Sequence, residues 1–378
     1  LAILLSVYYN AEMNNSKIKL ISLCLALIGS FSVNALAQET EAEPYYFYRG
    51  YDYGSESLVN PINIIVNGGF GIFQLAGRNN SLIDLDYTTG FDNLKYSLTH
   101  PFELIGDQGW SDFLISETVP ISINRNNAQY WPNYTQHLIG GGMSYRLMYE
   151  WFDYHDFGHP KTYAVTTIFA YHFLNEVVES SGYGRPSTDP IADLYLFDPL
   201  SIVLFSNDKV CNFFSKTLNM AEWPYQPMID PTDGTIANTG QNFVMKWKLP
   251  RSDKWSLFYH MGTHAELGLS RHLENDRCVS FGAGMKADNL IEVDEHSNTV
   301  NLALSGGIFY DRNNSLMASL LLAKSKDYKV RLNLYPGLVK FWGIKPGIFV
   351  GTDREDNLSF GINLSSIPIG ISKNRQPN

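Results

Sequence analysis

His172, Asn175, Glu176 and Glu179 follow one another at spacings that, in a helix, bring all four side chains within roughly 100° of one face. An imidazole beside two carboxylates suits acid–base chemistry. The histidine exchanges a proton near neutral pH, and a neighbouring polar residue, a carboxylate or the Asn175 amide, orients it. These four are the candidate catalytic residues of a hydrolase or acyltransferase. A covalent route also needs a nucleophile, and Ser144, Ser180 and Ser187 supply the residue type without a Gly-x-Ser-x-Gly elbow to single one out. A second chemistry is metal binding. His155 and His159 flank Asp-Phe-Gly, and with Asp189 and Asp193 downstream they form a candidate set of imidazole and carboxylate ligands. Gly158 and Pro160 keep the two histidines off helical spacing, so no complete ligand signature is present and no cofactor is expected. The competing reading of the 172–179 stripe is structural: it hydrogen-bonds to other helices or faces a wet lumen.

The element that must present the stripe is a helix from Thr162 to Glu179, entered after Pro160 and ended by Gly182 and Gly184. Thr135 caps an expected helix from Gln136 to Trp151, where Gly140-Gly-Gly142 permits close approach of another backbone. Asp198-Pro199 reads as an N-cap with proline at the first helical position, and Asn207-Asp208 starts a further turn. Trp223-Pro224 and Pro227 close a helical subdomain over 135–228. Two helices with a glutamate near the end of the second, then Pro186-Ser187-Thr188-Asp189, another helix and a strand-rich half: this order, over residues 135–210, resembles an uncharacterised domain family of exported proteins of Gram-negative bacteria. The resemblance implies an envelope location and a helical segment ahead of a β-barrel, and no activity.

From residue 235 onward the chain alternates with period two, the strand signal. Phe243, Met245, Trp247 and Leu249 oppose Val244, Lys246 and Lys248. Over 255–269 the set Trp255, Leu257, Tyr259, Met261, Ala265, Leu267 and Leu269 opposes Ser256, His260, Gly262, His264, Glu266 and Gly268, read as one strand. Similar runs continue to Leu364, separated by turn-rich segments such as Asp311-Arg-Asn-Asn314 and Asp353-Arg-Glu-Asp356. Strands near ten residues, short turns and 14% aromatic residues favour leucines facing lipid and polar groups facing inward. The expected fold is therefore mainly β: an antiparallel outer-membrane β-barrel of 8–12 strands over 235–371, with the helical subdomain inserted before it. Residues 38–134 are expected as mixed loops with further strands at 92–98 and 114–123.

Residues 13–37 read as a signal peptide: Lys17 and Lys19, an apolar core from Leu20 to Ile28, and Ala35-Leu36-Ala37 as cleavage site. That places the protein in the outer membrane of a Gram-negative bacterium. The net charge of −10 excludes nucleic acid as a partner on electrostatic grounds, leaving outer-membrane lipid and a small or lipidic ligand. The leading functional expectation is a non-catalytic envelope protein, structural or handling such a ligand. Beside it stand a barrel-embedded lipid-modifying hydrolase or acyltransferase and a soluble periplasmic β-barrel binding protein. Cys211 and Cys278 pair or stay as buried thiols; the sequence leaves both open.

Overall fold

The computed structural model describes residues 45–75, 80–119, 130–182, 184–292, 298–325, 327–365 and 367–375. The segment read as a signal peptide lies outside these residues. Helices fill the first half. Asn60 caps Pro61–Gly69, its side chain accepting from the Asn63 amide at 2.9 Å, with Pro61 at the position where an amide has no helical partner. Asp86 caps Tyr87–Thr99 in the same way. Pro101–Gln108 follows, then Trp110–Phe113 running into Leu114–Thr118. Where strands are expected over 92–98 and 114–123, the chain is helical over 92–98 and 114–118. The Asp86 cap and the Leu94–Leu98 spacing of four explain the first: Leu94 is fully buried against Val177 and Leu194.

The larger helices form the site's scaffold. Tyr130–Pro132, Asn133–Gly141 and Gly142–Tyr154 make one continuous run, Pro160–Ser180 the next, and Asp189–Ala192, Asp193–Phe197 and Asp198–Phe205 a third. Asn133–Gly141 and Asp193–Phe197 have the wide turns of a π-helix. Pro199 accounts for the second, since it has no amide to donate and its ring crowds the preceding turn. Asp198 thus lies inside a helix and its side chain caps nothing. The three glycines at 140–142 admit rings from neighbouring elements: a Cβ would stand 2.5 Å from Phe243 at Gly140, 3.3 Å from His172 at Gly141 and 2.2 Å from Phe205 at Gly142.

The second half is one sheet. Its strands are β1 (Ala221–Glu222), β2 (Met228–Ile229), β3 (Ile236–Ala237), β4 (Phe243–Lys248), β5 (Trp255–Met261), β6 (His264–His272), β7 (Arg277–Glu292), β8 (Asn298–Arg312), β9 (Ser315–Ala323), β10 (Val330–Leu334), β11 (Pro346–Thr352), β12 (Leu358–Leu364) and β13 (Gly370–Arg375). The hydrogen-bonded order is β1-β4-β5-β6-β7-β8-β9-β10-β11-β12-β13-β2-β3, and β13 pairs with β2 in parallel. This corrects the expected fold class. The chain is about 40% helical and 30% strand, its sheet is mixed, and the sheet does not close, so a pure antiparallel outer-membrane β-barrel is not what forms. The physical cause sits in 221–237. Pro224, Pro227 and Pro231 cannot donate to a ladder, and only three two-residue strands form there.

The run 255–269 is a hairpin instead of one strand. Gly262-Thr263 turns the chain, pairing Tyr259 with Leu267 and His260 with Glu266. The turn preserves parity, so both histidines stay on the same face, with ring centroids 5.4 Å apart. The alternation does separate two faces. Leu267 is 60% exposed while Glu266 beside it is 0% exposed. Trp247, Leu257, Phe281, Leu304 and Leu322 share the exposed face. The buried face combines an aromatic core of Trp223, Phe258, Phe309, Tyr328 and Tyr335 with ion pairs, among them Lys246–Asp311 at 2.8 Å and Arg331–Asp327 at 2.9 Å. Cys211 and Cys278 are buried free thiols. No helix among the described residues is long and apolar enough to cross a membrane.

Candidate active site

Between the helices and the near ends of β4 to β8 lies a cavity of about 630 Å³. His172, Asn175, Glu176 and Glu179 of the Pro160–Ser180 helix all line it, as the stripe's spacing requires. The imidazole is 1% exposed and the Glu176 side chain 2%. Asn175 is anchored by its side-chain amide, which donates to the Gly68 carbonyl at 3.2 Å. Asp189 and Asp193 line the cavity from the third helical run. His155 and His159 do not join them. His155 is exposed, hydrogen-bonded to the Trp151 carbonyl at 2.8 Å, and His159 is exposed ahead of the first turn of the helix. Some thirteen residues of helix, about 20 Å, separate His159 from His172.

Two residues outside the stripe complete the cluster. His137 Nδ1 lies 2.9 Å from His172 Nδ1 and 3.1 Å from Asp198 Oδ1, and His172 Nδ1 lies 2.7 Å from that same oxygen. On its other side His137 Nε2 meets Asp193 Oδ2 at 3.2 Å. Three of the wide helical turns feed this site: Leu114–Thr118 carries Glu117, Asn133–Gly141 carries His137, and Asp193–Phe197 begins with Asp193 and ends against Asp198. A π turn shifts side chains off the 3.6-residue register, and such turns concentrate at functional sites. Asp198 follows Asp193 by five residues, a spacing that only a widened turn places on the same face. The signal that would have found it is Pro199 directly after an aspartate in a helical run.

Burial dominates the electrostatics. It pushes Glu176, Asp189 and Asp193 well above the ordinary carboxylate range, reinforced by each other and by neighbouring carboxylates. Glu117 is pushed up to about 7 by burial, although Ser116 and Asn133 hydrogen-bond to it. Burial draws His172 down, against the pull of Asp198. Burial also opposes the charge on Asp198, but His172 and His137 outweigh it and hold that carboxyl below its usual range. His172 Nε2, Glu176 Oε2, Asp193 Oδ1 and Asp198 Oδ2 are buried without a hydrogen-bond partner. Of the hydroxyls on the cavity wall, Thr135 donates to the Trp131 carbonyl and Thr263 to Gln74 Oε1, while burial holds the Tyr171 phenol well above its ordinary range and hence protonated. Ser144 donates to Glu222, outside the cavity lining.

No family model matches the chain, and comparison with curated proteins and with solved structures returns no match.

Proposed function

We propose that this protein is a hydrolase acting on a carboxylic ester or amide of an amphiphilic molecule. The observation that carries the reading is that His137 and His172, both held by the buried Asp198, line a cavity that Met285 and Leu302 line as well. Those two residues also belong to the exposed apolar face of the sheet. An acyl chain lying on that face is continuous with the cavity, and the polar head it carries enters beside the imidazoles.

The chemistry follows from the groups present. With the wall hydroxyls of Thr135 and Thr263 engaged, the nucleophile is water. A basic group of the cluster takes its proton as the oxygen attacks the carbonyl carbon. The carbonyl C–O or C–N bond breaks, and the same proton passes to the leaving oxygen or nitrogen. The exposed apolar face supports contact with lipid acyl chains, since monomers seldom leave more than a few hundred Å² of contiguous apolar surface to water.

The same cavity supports a binding reading, favoured by its apolar lining of Ile72, Leu75, Phe243 and Val300. Turnover decides between them. With detergent-solubilised protein and p-nitrophenyl esters of increasing chain length, the hydrolase reading expects rates that rise with chain length and fall at least 100-fold in Glu176→Gln and His172→Asn. Saturable binding of a fatty ester with wild-type turnover no faster than that of His172→Asn would leave only the binding role.

A further inference from the structure

We infer that His137, His172 and Asp198 hold a first-row divalent transition-metal ion. The inference rests on the cavity reading above for its purpose and on separate geometry for its argument. Three donor atoms, two imidazole nitrogens and a carboxylate oxygen, form a triangle with edges of 2.7, 2.9 and 3.1 Å. Each imidazole nitrogen offers one in-plane hydrogen or one in-plane lone pair, never both. Each of these two nitrogens nevertheless faces two partners.

Protons fill the triangle poorly. With both Nδ1 atoms protonated, both N–H groups crowd onto the single Asp198 oxygen while their nitrogens stand 2.9 Å apart. With one protonated, the bare nitrogen sets its lone pair against the carboxylate oxygen. Asp193 Oδ2 meets His137 Nε2 at 3.2 Å; when Nε2 donates to it, the tautomer leaves Nδ1 bare and directed at Asp198. A cation seated over the triangle receives a lone pair from all three atoms at once. The edges fit an octahedral ion, whose adjacent ligand atoms at bond lengths of about 2.1 Å stand about 3.0 Å apart; a tetrahedral ion would hold them about 3.4 Å apart. Two histidines and one carboxylate on one face of an octahedron leave positions open to substrate or water. Imidazole ligation excludes calcium and magnesium.

The surroundings match a metal's outer shell. Asp193 on His137 Nε2 forms a carboxylate–histidine–metal relay and is a positioning residue. Asp198 Oδ2 and Glu176 Oε2, buried and unpartnered, remain to accept from a metal-bound water or to complete the coordination. Gly141 gives the His172 ring its room, because a Cβ there would come within 3.3 Å of Nε2.

The test uses the full chain in detergent, stripped with a chelator and titrated with Zn²⁺ and Co²⁺ by calorimetry. One equivalent binds tightly. His137→Ala and His172→Ala each weaken binding at least 100-fold, Asp193→Asn weakens it 10–100-fold, and His155→Ala with His159→Ala leaves it unchanged. X-ray absorption at the zinc edge of the wild-type protein needs no variant to fold and shows scattering from two imidazoles. Absence of saturable binding, or a zinc spectrum without imidazole, overturns the inference. Stripped protein that binds no metal yet still hydrolyses esters overturns it while sparing the hydrolase; one bound equivalent without hydrolysis supports it and removes the hydrolase.

Discussion

Glu222 is buried at the start of the sheet, where Gln241 and Ser144 donate to it at 3.2 and 3.3 Å. Burial lifts its carboxyl from 4.5 to about 7, against those two hydrogen bonds. Below about pH 4.5 the group is protonated both folded and unfolded and contributes nothing to the pH dependence. Between about 4.5 and 7 the folded chain keeps a proton that the unfolded chain releases, so stability falls as pH rises, by on the order of 3 kcal/mol in all. Glu222→Gln flattens that slope in denaturant titrations across the window; an unchanged slope assigns it to other groups. Lys246 and Asp311 pose a different residue-scale problem, since both ends of the pair are buried. Lys246→Met strands a carboxylate and costs about 3–5 kcal/mol, whereas adding Asp311→Leu recovers most of the loss. Equal loss in the single and double variants would show that packing, not charge, sets the cost. At this scale the stripe from His172 to Glu179 is legible because its spacing is helical. His137 and Asp198 are not, because widened turns bring them onto the site's face.

Elements add what single residues do not show. The glycine triplet in the Asn133–Tyr154 run is a slot for rings, and its behaviour contrasts with that of a glycine in open space. Gly142→Ala puts a methyl 2.2 Å from Phe205, which is fully buried, and costs about 1–3 kcal/mol. Gly106→Ala, with nothing within 4 Å in the Pro101–Gln108 helix, stabilises by up to about 1 kcal/mol through helix propensity alone. Thermal unfolding of the two variants separates these signs; equal shifts would contradict the slot. The strands from β4 onward are readable from sequence since period two survives any tertiary arrangement. Their ends are less so: the Gly262-Thr263 turn preserves parity and is therefore invisible to an alternation count. The helices at 87–99 and 114–118 escape notice because their apolar residues are few and their caps are single aspartates or none.

For the whole molecule the decisive feature is the inversion of the sheet, with ion pairs and aromatics covered and leucines uncovered. Leu267→Lys with Leu304→Lys is expected to lower co-flotation with phospholipid vesicles severalfold while leaving the near-ultraviolet circular dichroism unchanged. Flotation equal to wild type would show that this face meets something other than acyl chains. Sequence alone determined the periodicities, and through them which residues share a face wherever the strand or helix is regular, since a regular element sorts its side chains by its own geometry. It determined the polar stripe of 172–179 for the same reason. Tertiary structure decided the rest. Whether the sheet closes depends on hydrogen bonds that prolines at 224, 227 and 231 withhold. Which carboxylate meets which imidazole depends on helices brought together from residues 26 to 61 positions apart, held at distances that packing sets and no local pattern encodes.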